Sequence, residues 1–520
     1  MKNILGIGVV AVALLLMQPT QVGGQESAKD AKSADAKGAD AKPNPDTPKE
    51  ESSVTDHTIK IGGQAIQYRA TASTTLLKDA KGEPTALIFS TAYARSDAKD
   101  MSARPLAFIY NGGPGSASIW LHMGAFGPRR VVTANAAQTP PPPYKLVDNI
   151  GCLLDKADLV FVDPVGTGFS RAVGKAEGKD FWGVDQDVKS LAEFISIYIN
   201  RNNRWNSPKF LIGESYGTFR SAALGNFLQS SKGIYINGIV LISNVLDIAT
   251  IQFATGDDRS YIFYVPSYAA AAAYYKMLKE PPGDLTAFLI EARKFASTEY
   301  AEALMKGSQL GEAEKADVAK KLSHYTGLSE DFLVKADLRV TLSQFNAELE
   351  RSRGLTIGRY DARYSGPTID LLTENSEYDP SYTAVSGAFT AAFNVYCREE
   401  LKYSPERTYE TLSGEPGRNW DWKHNGGRNF GGSASNVEGD LAQALLTNPH
   451  LQVEVENGLF DQATPFFATE YTMDHLGLPA NLRSHIHLNY YESGHMIYLH
   501  EEDLAKLRAN VATFIENASR

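Results

Sequence analysis

Six short apolar runs constrain this chain more than any other feature. They are Leu106 to Tyr110, Leu159 to Val162, Phe210 to Ile212, Ile239 to Ile242, Leu451 to Val455 and Ile486 to Tyr490. Each gives way within two residues to glycine, serine or an acid. Runs of this length and character suit buried strands of a mostly parallel sheet, where both faces are covered. Amphipathic stretches lie between several of them, including Val184 to Asn200 and Gly217 to Leu228. The last run leads into Glu501 to Glu516, a helical stretch with an acidic first turn. Strand and helix in alternation predict an α/β fold, an open doubly wound and mostly parallel sheet. Ahead of it, from His57 to about Arg95, short alternating segments broken by Gly62-Gly63 and by Lys81-Gly82-Glu83-Pro84 predict antiparallel hairpins.

Between Ser243 and Leu451 the alternation stops, and helical patterns such as Leu285 to Met305 and Ala313 to Leu322 take over. Two hundred residues exceed any crossover connection. We therefore read residues 251–444 as a mainly helical lid inserted into a core of residues 56–250 and 445–520. Open α/β sheets bind ligands at the carboxyl ends of their strands, and the insertion is expected there. Its aromatic, glycine-rich end (Trp420, Trp422, Phe430) suits a cleft wall.

The amino terminus has a different character. Lys2, the apolar and glycine run Ile4 to Met17, and Gly23-Gly24 read as a signal peptide over residues 1–24, cleaved before Gln25. That places the mature protein outside the cytoplasm, secreted or periplasmic, with no integral membrane segment left. Residues 25–55 are expected to be a disordered tether, because Ala, Lys, Asp, Ser and Pro dominate as far as Glu50 and cannot offset their ordering entropy. With only two cysteines, a large apolar core must do most of the stabilising. Cys152 and Cys397 could pair after export, or stay as two buried thiols. A net charge of −10 gives no electrostatic footprint for nucleic acid. No cysteine or histidine cluster has metal-ligand spacing, and Gly166-Thr167-Gly168 lacks the ending of a phosphate loop, so neither metal nor nucleotide cofactor is expected. Oligomeric state cannot be read from these residues.

Gly213-Glu214-Ser215-Tyr216-Gly217 matches the G-x-S-x-G elbow, in which a serine sits on a sharp turn between strand and helix. Phe210 to Ile212 supplies the strand, and a helix of small residues follows. A serine hydroxyl needs a positioned base, and the base an orienting acid. Asp461 stands just beyond the run ending at Val455, and His495 just beyond the run ending at Tyr490. The order Ser215, Asp461, His495 is that of α/β-hydrolases, with each partner in a loop after a strand.

With these residues in view, the chain resembles the serine carboxypeptidase family of α/β-hydrolases. Asn111-Gly112-Gly113-Pro114-Gly115 and Asp163-Pro164-Val165-Gly166-Thr167-Gly168-Phe169-Ser170 resemble two of its hallmark loops, and Gly494-His495-Met496 its histidine end. The resemblance implies that Ser215 attacks a carbonyl, His495 carries the proton and Asp461 orients the imidazole. It implies an oxyanion hole from the backbone N–H groups of Gly113 and Tyr216. It also implies that Asn111, Gly112 and Glu214 hold the free carboxylate of a peptide C-terminus, with Glu214 protonated. Peptides are the expected substrates; a secreted esterase or acyltransferase using the same triad is the alternative. The chain departs from the family where a second glutamate would share that proton: Ala125 stands there. Arg129 or Arg130 is the expected substitute, pairing with the substrate carboxylate or with Glu214. Without the second carboxyl, activity is expected closer to neutral pH.

Overall fold

The apolar runs form the middle of one large sheet. The computed structural model describes residues 48–425 and 435–520. The leader, most of the tether and Phe430 lie outside the described residues. The antiparallel strands come first: β1 (Ser52–Ile61), β2 (Gln64–Lys78) and β3 (Pro84–Arg95). They turn at the two glycine-bearing positions read from the sequence, and Ser52 pairs with Ser73 at the far end of the first hairpin, so Ser52 to Thr55 form the start of β1 rather than the end of the expected tether. Then follow β4 (Leu106–Tyr110), β5 (Asp158–Val162), β6 (Lys209–Glu214), β7 (Gly238–Ile242), β8 (Gln452–Gly458) and β9 (Ile486–Tyr491). The spatial order is β1-β2-β3-β5-β4-β6-β7-β8-β9. From β5 to β9 every neighbouring pair is parallel, and β3 joins β5 antiparallel.

The period-two geometry of strands divides each run between two cores. Ile109, Phe161, Ile212 and Val240 face one side, where the helices Ser386–Glu399 and Glu501–Ala518 contribute Phe389, Phe393, Leu507 and Phe514. Phe108, Val160, Leu211, Leu241 and Val455 face the other, covered by α1 (Val184–Arg201) and α2 (Tyr216–Lys232). A mostly parallel sheet buried on both faces is the doubly wound α/β fold expected from the sequence.

A third core lies within residues 251–444. Tyr268 and Ala269 of the helix Arg259–Tyr274 pack with Leu289, Leu322, Phe345 and Ala362. Phe460 and Phe466, next to Asp461, join that core and tie it to the end of β8. Leu285 to Lys306 is one helical stretch interrupted by a π-helical turn at Ala296–Tyr300. Both cysteines are buried free thiols, the second of the two readings left open by the sequence. Among the described residues no helix is long and apolar enough to cross a membrane.

Candidate active site

Strand β6 delivers Ser215 to a turn that only a rigid frame holds. Ser215 has φ 61° and ψ −131°, a conformation that costs a non-glycine residue on the order of 1–3 kcal/mol. Its N–H donates to the Ile242 carbonyl at 3.0 Å, fastening the turn to the end of β7. The flanking glycines are required by contact: a Cβ on Gly213 would lie 2.2 Å from the Gly217 carbonyl oxygen. Tyr216 is the first residue of α2, where a backbone N–H has no acceptor within the helix.

Asp461 and His495 meet behind this turn. The Asp461 carboxylate accepts from His495 Nδ1 at 2.8 Å, from the Ala463 and Thr464 N–H groups at 2.7 and 2.9 Å, and from the Thr464 hydroxyl at 2.8 Å. Both side chains are buried. Burial disfavours imidazolium, but Asp461 and then Glu214 more than offset it, so the pKa of His495 lies above its ordinary value. Among the described residues Nε2 of His495 has no hydrogen-bond partner. Ser215, His495, Asn111, Gly112, Gly113 and Glu214 all line one cavity of about 90 Å³.

The loop after β4 packs directly on the elbow. A Cβ on Gly112 would lie 2.4 Å from the Tyr216 nitrogen, so the two loops approach as closely as backbones can. Asn111 Nδ2 donates to Glu214 Oε1 at 2.8 Å. Burial pushes the Glu214 carboxyl up to about 7, against the opposing pull of His495, Tyr498 and Asn111. Its second oxygen and the Tyr498 hydroxyl are both buried, and neither has another partner among the described residues. The two interact with each other, and a Cβ on Gly124 would come within 2.5 Å of the Tyr498 ring. A phenol that burial holds neutral adds no negative charge beside Glu214. Sequence reasoning missed Tyr498, which lies three residues past His495 in an otherwise apolar segment.

Two expectations are corrected. Arg129 and Arg130 do not reach the cavity. They lie on a short strand, Arg129–Val131, paired with Leu146–Asp148. Arg129 there bonds Asp148 and Glu400 at 2.7 and 3.2 Å, and Arg130 bonds Glu501 at 3.2 Å. Trp420 and Trp422 pack edge-on against the Tyr216 ring, at 5.3 and 5.7 Å, rather than lining the cavity. The aromatic wall comes instead from Trp120, Tyr360 and Tyr382.

The segment from Gly358 to Tyr364 clamps the loops that carry Asp461 and His495. The Arg359 carbonyl accepts from Gln462 N–H at 3.2 Å, the Tyr360 carbonyl from His495 N–H at 2.6 Å, and Ala362 N–H donates to Phe460 at 3.0 Å. Asp361 accepts from Gly494 N–H at 3.2 Å and holds the buried Arg363 guanidinium at 2.6 Å. Arg363 in turn donates to the Glu492 carbonyl at 2.7 Å. Asp361→Asn is therefore expected to lower kcat on an acyl substrate about tenfold or more, because small displacements of reacting groups are costly. KM should stay within about twofold, since the cavity walls remain. A lowered melting temperature with unchanged kcat would reduce Asp361 to a purely structural role.

A family model described as "Serine carboxypeptidase" matches residues 80–253. That span holds the loop after β4 and the elbow, and ends before Asp461 and His495. The chain is 34% identical over 131 residues to the pheromone-processing carboxypeptidase KEX1 of Saccharomyces cerevisiae. The match covers 24% of this chain and 17% of that relative, so the chain spans only about a sixth of the length of the curated relative. The crystal structure of Kex1(delta)p, a prohormone-processing carboxypeptidase from Saccharomyces cerevisiae, superposes with a TM-score of 0.52 and 17% identity. That superposition covers 87% of this chain and 92% of the other, and shows the shared α/β-hydrolase fold.

Proposed function

We propose that this chain, which matches the serine carboxypeptidase family model over residues 80–253, removes C-terminal residues from peptides through an acyl-enzyme. The observation that carries this reading is Glu214, a carboxyl with a pKa raised to about 7, buried beside Asn111 in the cavity of Ser215. A protonated carboxyl donates a hydrogen bond to a substrate carboxylate; an ionised one repels it. An esterase has no use for such a group.

Ser215 Oγ attacks the scissile carbonyl as His495 Nε2 takes its proton, and Asp461 holds the imidazole and stabilises its charged form. The N–H groups of Gly113 and Tyr216 receive the oxyanion. The imidazolium returns its proton to the leaving amine, and water then releases the acyl group by the same route in reverse. Asn111, the Gly112 backbone and Glu214 bind the C-terminal carboxylate. The part of the insertion built on the third core, around Tyr264 to Ala362, acts as the lid, while Ser386–Glu399 covers the sheet; the insertion supplies Arg359, Tyr360, Tyr382 and Leu412 to the cavity wall. The leader read over residues 1–24 supports a secreted or periplasmic enzyme.

The active form needs Glu214 protonated and His495 neutral. The two groups interact, so the pair titrates with macroscopic pKa values and the active form is most populated between them, near neutral pH. For a free-acid peptide, kcat/KM is expected to follow a bell with its maximum near pH 7, falling on the alkaline side as Glu214 ionises. Glu214→Gln, whose amide donates at every pH, should lose that alkaline limb and keep the acidic one. A limb that persists in Glu214→Gln, or a maximum confined below about pH 5, would contradict this reading.

A further inference from the structure

Arg359 stands apart from the buried arginines of the fold. Arg204, Arg220 and Arg363 are buried, and each is held by a buried aspartate, respectively Asp158, Asp187 and Asp361. That is the expected pattern, because an enclosed cation is costly unless paired. Arg359 makes no ion pair among the described residues. It is exposed, with its side chain open to solvent at the cleft wall. It lines the cavity of Ser215 together with His495 and Glu214. It also lines an adjoining cavity of about 450 Å³ that shares Tyr360, Tyr382 and Leu412.

No carboxylate among the described residues bonds its guanidinium. Asp379 is engaged with backbone, accepting from the N–H groups of Ser381 at 2.9 Å and of Arg359 itself at 3.3 Å. The guanidinium instead lies over the Tyr360 ring, 5.2 Å from its centre, and that ring lies 5.3 Å from the imidazole of His495. One face is thus fixed by an aromatic ring, while its fork of N–H donors is left for a ligand. Planar N–H pairs in this state match carboxylate geometry.

We infer that Arg359 is a specificity-determining residue that binds a substrate carboxylate in the cleft of Ser215. The inference rests on the carboxypeptidase reading and deepens it. Asn111 and Glu214 provide one carboxylate site, and Arg359 provides a cationic one that the sequence had placed at Arg129 or Arg130. Its ligand is the acidic side chain of a residue flanking the scissile bond, or the C-terminal carboxylate itself.

Binding in a Ser215→Ala background separates the two sources without turnover. The probes are N-acetylated tetrapeptides ending in Phe-Glu, Phe-Gln, Glu-Phe and Gln-Phe, each as free acid and as amide, measured by calorimetry with the full chain. If Arg359 reads a side chain, Glu peptides bind about tenfold or more tighter than their Gln counterparts, and Arg359→Gln brings that ratio near one. If it reads the C-terminus, Arg359→Gln instead collapses the free-acid over amide ratio for Glu and Gln peptides alike. Arg359→Lys, which keeps the charge without the fork, should retain part of whichever ratio falls and guards against a folding defect. Both ratios unchanged in Arg359→Gln would overturn the assignment. Failure of the wild-type enzyme to prefer free acids in turnover would overturn the carboxypeptidase reading, whatever the binding data show.

Discussion

Ser215→Ala should abolish peptide hydrolysis while leaving the protein folded. The Oγ atom is the nucleophile that forms the acyl-enzyme in the proposed mechanism, and removing the nucleophile of such a unit costs about 10⁴- to 10⁶-fold in kcat. No side-chain hydrogen bond of Ser215 holds the fold, and its strained backbone is imposed by the Gly213–Gly217 contact and the bond to Ile242. Alanine meets the same strain, so the melting temperature should shift by no more than a degree or two. Binding of a free-acid peptide should survive, because Asn111 and Glu214 are untouched. Residual turnover within about tenfold of wild type would remove Ser215 from the chemistry.

Gly112→Ala should damage both the fold and the chemistry of the site. The added Cβ would fall 2.4 Å from the Tyr216 nitrogen, 2.7 Å from the Gly217 nitrogen and 2.8 Å from the Glu214 carbonyl oxygen. All three are backbone atoms of a turn fastened to β7, so no side-chain rotation relieves the clash. The loop after β4 and the elbow must separate, which moves the Gly113 and Tyr216 N–H groups apart. Overpacking of this kind costs about 1–3 kcal/mol and occasionally more, and three backbone clashes put it at the upper end. Loss of a single oxyanion donor costs about 10²- to 10³-fold in kcat, and here both proposed donors are displaced. Gly439→Ala is the control: Gly439 is exposed in the helix Glu438–Thr447, with nothing within 4 Å of the new Cβ, so stability should be unchanged or slightly raised. Unaltered kcat in Gly112→Ala would show that the loop and the elbow do not act together.

The sheet was readable because its strands are buried on both faces, which leaves a mark in a short stretch of sequence. Phe108 and Ile109 face opposite cores, so both must be apolar, and β4 declares itself without its neighbours. The elbow was readable for a similar reason, since the turn at Ser215 demands glycine at fixed offsets. The carboxylate chemistry was less so. Arg129 and Arg130 stand close in sequence to Ala125, but a short strand pairing ties them to Asp148, Glu400 and Glu501. The residues that do reach Glu214 and the cavity arrive from far along the chain. Tyr498 comes from the segment after His495, and Arg359 from within the insertion. Neither carries a local pattern that sets it apart. The same holds for Asp361 and Arg363, which read as an ordinary charged loop until Gly494 and Glu492 are seen against them. Long-range contacts of single residues leave no periodicity to detect.

The most direct test of the central claim compares one N-blocked peptide as free acid and as C-terminal amide, with products followed by mass spectrometry at pH 7. The account predicts stepwise loss of single C-terminal residues from the free acid, little or none from the amide, and neither with Ser215→Ala. Equal cleavage of both forms would contradict the proposed role of Asn111 and Glu214 and leave a serine hydrolase with no carboxypeptidase specificity.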